Sequence, residues 1–365
     1  MNTLFKYKRI YILLLIPISF ALLMLSKYNA FFAEEIMARR IYFILAQGIS
    51  MITGMLPFSI IEVILILLPI IILGIIILFL KKLFITKDKK TIIIKAILNI
   101  LSFFSILLFL YIILCGTNYY RYTFSQYSNL EIKDSSLEEL YELSLHLVED
   151  VNKFRENVME NEDGVFVLSN DIYKTAKISS ESYKLASKQY PVLGGRYPSS
   201  KPVLLSKLMS KAETTGIFIP FTMEANINVD VPDYSIPATM NHELAHLRGF
   251  MREDEANFIA YITCMASDSF DLKYSGSMLA LITANNALYN QDKDLYFDIR
   301  DTMSEKVIRD IRDNNEYWQQ YEDTVISVVS NKVNDAFLKA NNQTDGVKSY
   351  GRMLDLLLAY HKINQ

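Results

Sequence analysis

Apolar residues are unevenly spread along the chain. Three long runs stand out, at about Ile10–Ser26, Phe58–Leu80 and Ile92–Cys115. Each reaches or approaches the roughly 20 residues that a helix needs to span about 30 Å of hydrocarbon. They predict three transmembrane helices. The first run is short, and its Lys6, Lys8, Arg9 preface also fits a signal peptide. The Ser-Lys-Tyr-Asn-Ala-Phe-Phe stretch after it offers no small-residue cleavage site, which favours an uncleaved span. Between the first two runs, Ala30–Met55 is apolar with scattered charges. It suits either an amphipathic helix on the membrane surface or a segment packed against the spans or the rest of the protein.

After about residue 116 the pattern changes. Asn118-Tyr-Tyr-Arg-Tyr122 is the aromatic, polar exit expected at headgroup level. Leu137, Leu140, Leu143 and Leu147 recur at helical spacing and predict a helix to about Glu156. Ser135 or Ser136 caps it, with Glu138 or Glu139 closing a capping box. A second helix is expected over Asn170–Gln189, followed by an irregular stretch marked by Pro191, Gly194, Gly195 and Pro198. Pro202-Val-Leu-Leu-Ser and Gly216-Ile-Phe-Ile-Pro-Phe read as short extended segments, and Pro220 points to a sheet edge for the latter. From residue 234 the pattern is helical almost to the end. The fold class is therefore α+β and mostly helical. A three-helix transmembrane region (1–116) precedes a second domain (117–365) with a small sheet just before its most distinctive motif.

Charge adds a direction. Lys6, Lys8 and Arg9 precede the first span, and Lys81, Lys82, Lys87, Lys89, Lys90 and Lys95 lie between the second and third. Such clusters stay on the cytoplasmic side. The N-terminus and the 81–95 loop then face the cytoplasm, and the C-terminal domain is extracytoplasmic. The lipid bilayer is one partner. The overall charge of −3 gives no reason to expect nucleic acid. Two cysteines, Cys115 and Cys264, are too few for a disulfide framework or a thiolate metal site, and a single bridge between them is disfavoured.

The candidate chemistry lies in Met240-Asn-His-Glu-Leu-Ala-His-Leu-Arg-Gly-Phe-Met-Arg-Glu-Asp-Glu-Ala-Asn257. Ser235 and Pro237 signal a helix start, and Gly249 signals its end. His242 and His246, four residues apart between those signals, share one helix face and can reach one ion. Glu243 is turned about 100° away, where it can contact a metal-bound water as general base. The bland alternative is an exposed helix with two solvated histidines. Only two other histidines exist, His146 and His361, and both read as packed or surface residues. A carboxylate is the better third ligand, giving a His₂Glu zinc site. Glu253, Asp254 and Glu255 open the next helix, where the dipole alone would favour acids. Glu253 is preferred to Glu255 because it shares a face with Asn257, which can orient a ligand histidine. Glu255 faces elsewhere and can pair with Arg248 or Arg252.

His-Glu-Leu-Ala-His-Leu-Arg-Gly-Phe followed by Arg-Glu-Asp-Glu-Ala-Asn-Phe-Ile-Ala-Tyr resembles the bacterial membrane family DUF3810. So do the three N-terminal spans, Gly216-Ile-Phe-Ile-Pro-Phe-Thr-Met-Glu-Ala-Asn and Asp345-Gly-Val-Lys-Ser-Tyr-Gly-Arg-Met. The resemblance covers nearly the whole chain and implies no established activity. At greater distance the site is similar to gluzincin peptidases, in which the first Glu of a Glu-x-x-Ala-Asp or Glu-x-x-Ala-Asn helix supplies the third ligand. That likeness implies a zincin-like domain with Glu253 in that role. The gap from His246 to Glu253 is shorter than in most gluzincins. It is nearer the metzincin spacing His-x-x-Gly-x-x-His, whose final histidine position here is Arg252.

The expected function is a membrane-anchored zinc metallopeptidase that hydrolyses peptides or surface proteins with Glu243 as base. Gly216–Phe221 would pair with substrate backbone. Tyr234, Tyr261, Tyr274 and His361 are the candidates for stabilising an oxyanion. The alternative is a non-catalytic zinc-binding sensor or assembly module. An intramembrane protease is disfavoured, because Arg248, Arg252, Glu253, Asp254 and Glu255 follow the motif at once and are expensive in lipid.

Overall fold

The computed structural model describes residues 8–341, 343 and 352–364 of the chain. Lys8–Leu14 leads into α1 (Leu15–Tyr28), a π-helical segment over Phe32–Tyr42 continues as α2 (Phe43–Thr53), and α3 (Ile60–Ile85) and α4 (Lys89–Leu114) follow. Three helices, Lys8–Tyr28, α3 and α4, are long and apolar enough to cross a membrane. α1 and α4 lie side by side and run the same way. Arg9 bonds to Asn99 near one end, and Ser105 Oγ donates to the Ile12 carbonyl at 2.9 Å. Near the other end, a Cβ on Gly116 would come within 3.8 Å of Leu23. α3 is apolar all round and the rest of the protein leaves its most apolar stretch uncovered, the pattern of a helix suited to lipid.

The α3 N-terminus is tied to the rest of the fold. Its first free amides, Ile60 and Ile61, donate to Glu224 at 2.9 and 3.1 Å, and Lys201 pairs with the same carboxylate at 2.7 Å. Glu62 in the first turn accepts from the Leu205 amide at 2.7 Å. The start of this candidate span is thus capped by buried acids. Residues 32–53 do not lie free on a surface. Ala33, Glu34, Met37, Ala38 and Tyr42 are buried against the remainder of the chain.

After α5 (Phe124–Ser128), α6 (Leu137–Arg155) begins with the capping box read from sequence, closed by Ser136 and Glu139. A small antiparallel pair, β1 (Met159–Glu160) and β2 (Phe166–Val167), precedes α7 (Ile172–Ala186), capped by Asp171. β3 (Lys201–Pro202), α8 (Ser206–Lys211), β4 (Gly216–Ile219) and β5 (Glu224–Ile227) come next. The three strands form one sheet in the order β3-β5-β4, with β5 parallel to β3 and antiparallel to β4. β5 is buried, β4 is an edge, and Pro220 falls in the turn after it.

The chain is then helical, with α9 (Ile236–Leu247), α10 (Glu253–Met265), α11 (Phe270–Gln291), α12 (Lys293–Asp301), α13 (Glu305–Gln319), α14 (Val325–Ala340) and α15 (Met353–Asn364). One apolar core joins α6, α9, α10, α11 and α15 and also takes in Tyr42, Ala46, Leu114 and Cys115. The core therefore runs across residue 116. Cys115 and Cys264 are both buried and unbridged, and Cys264 Sγ lies 3.0 Å from the Asn241 amide nitrogen. Most of Asp345-Gly-Val-Lys-Ser-Tyr-Gly-Arg-Met, together with Lys6, lies outside the described residues.

Candidate metal centre

α9 carries His242, Glu243 and His246, and both of its ends are held by distant parts of the chain. Ser235 does not cap it as expected. That residue is already helical, and its hydroxyl donates to the Pro232 carbonyl at 2.8 Å. A 3₁₀ turn (Asp233–Ser235) feeds the helix instead, and the Ala238 amide finds the Ser275 hydroxyl of α11 at 2.9 Å. The C-terminal end behaves as Gly249 predicted, with φ +85°, a conformation that side chains rarely adopt. A Cβ there would also come within 3.0 Å of the Tyr42 ring and 3.1 Å of Arg121.

Those two neighbours collect the orphan carbonyls of the last turn. The Tyr42 hydroxyl lies 3.1 Å from the carbonyls of His246 and Leu247, and Arg121 Nη1 donates to that of Arg248 at 3.2 Å. Arg121 is itself fixed by Glu34, at 3.1 Å to each carboxylate oxygen, and by the Phe250 ring. Burial opposes ionisation of Glu34, but the Arg121 guanidinium overcomes it and keeps the acid charged. None of this was legible in the sequence. It depends on contacts more than eighty residues apart.

His242 and His246 meet at their Nε2 atoms, 3.0 Å apart. Glu253, the first residue of α10, brings Oε2 to 3.1 Å from His242 Nε2 and Oε1 to 3.7 Å from His246 Nε2. Four-coordinate geometry at about 2.0–2.1 Å from the ion implies donor separations of about 3.3 Å, and the observed distances bracket that value. The three ligand atoms can hold a metal ion. The other ring nitrogens are occupied. His242 Nδ1 is 2.7 Å from Asn257 Oδ1, and His246 Nδ1 is 2.7 Å from the Phe250 carbonyl. A carbonyl only accepts, so His246 carries its proton on Nδ1, and Asn257 Oδ1 asks the same of His242. Both Nε2 lone pairs then face each other and a carboxylate. Glu253 Oε2 is buried and has no hydrogen-bond donor.

Three acceptors converging in a dry site repel one another unless a cation lies between them. A proton is one such cation. Burial disfavours charge on His246, yet the Glu253 carboxylate overrides it and pushes the imidazole up to about 9. Burial also acts against ionised Glu253, and His246 and His242 more than offset it, holding that carboxyl well below its usual range. A divalent metal satisfies the same three lone pairs and releases the proton.

Glu243 sits on the side of α9 that faces the sheet edge. Burial raises its pKa, partly countered by the two histidines and by the Phe218 backbone N–H of β4. Its Oε2 is buried without a partner. β4 crosses so closely that a Cβ on Gly216 would lie 2.6 Å from Glu243 Oε1 and 2.8 Å from Thr239. Glycine at that position lets the strand approach the acid.

The neighbouring acids divide their roles. Glu255 Oε1 accepts from the Phe124 amide at 2.7 Å and pairs with Arg252 at 2.8 Å, away from the histidines. The other two histidines meet each other on α6 and α15, with ring centroids 5.0 Å apart. Tyr274 is bound to Asp310 at 2.5 Å, Tyr234 packs on Tyr274, and Tyr261 packs on Phe258 and Tyr360. These tyrosines belong to packing clusters.

The fold and the site together define a mostly helical protein with three candidate membrane spans and a His₂Glu cluster able to hold a metal. Residues 37–358 match the family described as "protein of unknown function (DUF3810)", and the chain belongs to that family. No curated protein and no solved structure matches it.

Proposed function

We propose that the chain is a membrane-anchored, zinc-dependent metallopeptidase. Residues 1–116 serve as the anchor, and residues 117–365 form a zincin-like domain on the outer side of the membrane. Zinc is the metal that suits two imidazoles and one carboxylate with a fourth position left for water. Calcium or magnesium would call for a mostly oxygen ligand set. Bound there, zinc would polarise a carbonyl oxygen and acidify a water.

The remaining work falls to the chain's own groups. Glu243 takes a proton from water and returns it to the leaving amine. Its desolvation, which raises its pKa, suits a base that must carry the proton and then give it up. β4 pairs with the substrate backbone as an added strand, and Pro220 ends that pairing. Peptides and surface proteins are the substrates that this edge can read.

The observation that carries the reading is the partnerless, buried Oε2 of Glu243 beside a donor-free ligand cluster. A purely structural metal site has no use for that oxygen. The test is Glu243→Gln in the full chain, purified in detergent and given a peptide library. The reading expects metal retained and cleavage lost. Cleavage at the wild-type rate contradicts it. Burial of His246, Glu253 and Glu243 favours a second reading, a non-catalytic zinc module of a membrane sensor or assembly. That reading expects no cleavage by either form and an unchanged cellular phenotype for Glu243→Gln. Orientation rests on Lys81, Lys82, Lys87, Lys89, Lys90 and Lys95, which gather where α3 meets α4. Single cysteines placed there should resist impermeant thiol reagents in intact cells, while a cysteine at exposed Lys174 should react.

A further inference from the structure

A second site lies on the far side of Arg248. Arg248 is 6% exposed, and its guanidinium lies over the rings of Tyr183 (3.7 Å to the centroid) and Tyr197 (4.5 Å). Nε donates to the Leu193 carbonyl and Nη1 to the Leu244 carbonyl, each at 2.9 Å. Nη2 makes no hydrogen bond among the described residues, and none of their carboxylates lies within 4.0 Å of Arg248. Every other deeply buried arginine with a comparable position differs. Arg121 has Glu34, and Arg155 has Asp310. A buried cation with no counter-ion is costly, and stacked aromatic faces only partly offset that cost.

Arg248 lines a cavity of about 490 Å³. Two exposed cations, Lys184 of α7 and Arg196 of the Pro191–Pro198 loop, line it too, and no acidic residue does. Met51 and Met55, 53% and 82% exposed, line it from the end of α2. Five residues beyond Met55 the candidate span α3 begins at Ile60. The cavity therefore combines cations from α7 and the Pro191–Pro198 loop with methionines from the end of α2, which leads within a few residues into the candidate span α3.

We propose that this cavity binds the phosphate of an anionic amphiphile, with the phosphate on Arg248, Lys184 and Arg196 and the apolar chain along Met51 and Met55. Guanidinium forks match phosphate oxygens, and each basic residue near an anionic membrane surface strengthens binding about fivefold. The site does not depend on a metal at His242 and His246, so its failure leaves the peptidase reading untouched.

The test uses the full chain in detergent micelles doped with phosphatidylglycerol or phosphatidylcholine, with lipid retention read by native mass spectrometry. Wild type should retain phosphatidylglycerol at least about fivefold over phosphatidylcholine. Lys184→Ala/Arg196→Ala, both exposed and safe for folding, should abolish that preference. Lys174→Ala/Lys177→Ala, on the same helix but outside the cavity, should keep it. Arg248→Ala is informative if it folds, and should lose retention as well. Equal retention of the two lipids by wild type overturns the proposal. So does an equal loss in both double variants, which would reduce the effect to general surface charge. Displacement by inorganic phosphate at the lipid's own concentration would show a free-anion site and overturn the amphiphile.

Discussion

The chain has four histidines, and the fold gathers them into two pairs. His242, half-buried, and His246, buried, lie on adjacent turns of one helix, each with Nδ1 fixed by an acceptor, and a buried carboxylate closes on both. His146 and His361 come from separate helices, α6 and α15. Their rings tilt at 41° with centroids 5.0 Å apart, His146 is 51% exposed, and its nearest acid, Asp150, stands at 3.7 Å. Closeness of two imidazoles is thus common to both pairs and does not make a metal site. What separates them is the fixing of the far nitrogens and the convergence of a third lone pair in a dry place.

The widest separation of the pairs is expected in metal content. His242→Ala and His246→Ala should each reduce bound metal from one equivalent to none, while His146→Ala/His361→Ala retains it, as read by elemental analysis of the purified full chain. Loss of metal from the His146→Ala/His361→Ala variant would erase the distinction. The two acids of α10 should part in the same way, though by less. Glu255→Ala strands the Phe124 amide and should lower stability by about 1–3 kcal/mol with metal retained. A loss of metal in that variant would make it a ligand after all.

Removing only the orienting group gives a smaller effect. Asn257→Leu should weaken metal binding by about 10–100-fold, measured by competition with a chelator. An unchanged affinity would mean that α9 alone sets the His242 ring.

The mildest test is pH. Burial and the nearby His146 hold His361 below the ordinary imidazole range. A base with a depressed folded pKa is penalised when protonated, and the unfolded chain binds more protons below its ordinary pKa of about 6.5. Stability from this pair is therefore present above about 6.5 and falls as the solution is acidified through that value. His146→Gln should flatten the fall. A melting temperature independent of pH between 5 and 7 in both forms, as order-of-magnitude bounds about 6.5, would remove His361 from the account.

Much of the local structure was legible because its signals are local. Ser136 with Glu139, and Gly249, each act within a few residues, and each does in the fold what its neighbourhood predicts. The third member of the cluster was legible for the same reason: helical spacing sets Glu253 with Asn257 on one face and Glu255 on another. Ser235 shows where that logic stops. A good capping residue lost its role because a 3₁₀ turn and the Ser275 hydroxyl took over the helix start. The Glu34, Arg121 and Tyr42 brace under α9 had no sequence signal at all. Its members come from two separate segments, Phe32–Tyr42 and the stretch at Arg121, and only the packing of residues 32–53 onto the core brings them together.

The most direct measurement of the central claim is the X-ray absorption fine structure of zinc in the full chain, purified without added metal. The account predicts nitrogen and oxygen scatterers only, at about 2.0–2.1 Å, with the outer-shell signature of two imidazoles. A sulfur shell at about 2.3 Å, or a zinc-free protein, would contradict it.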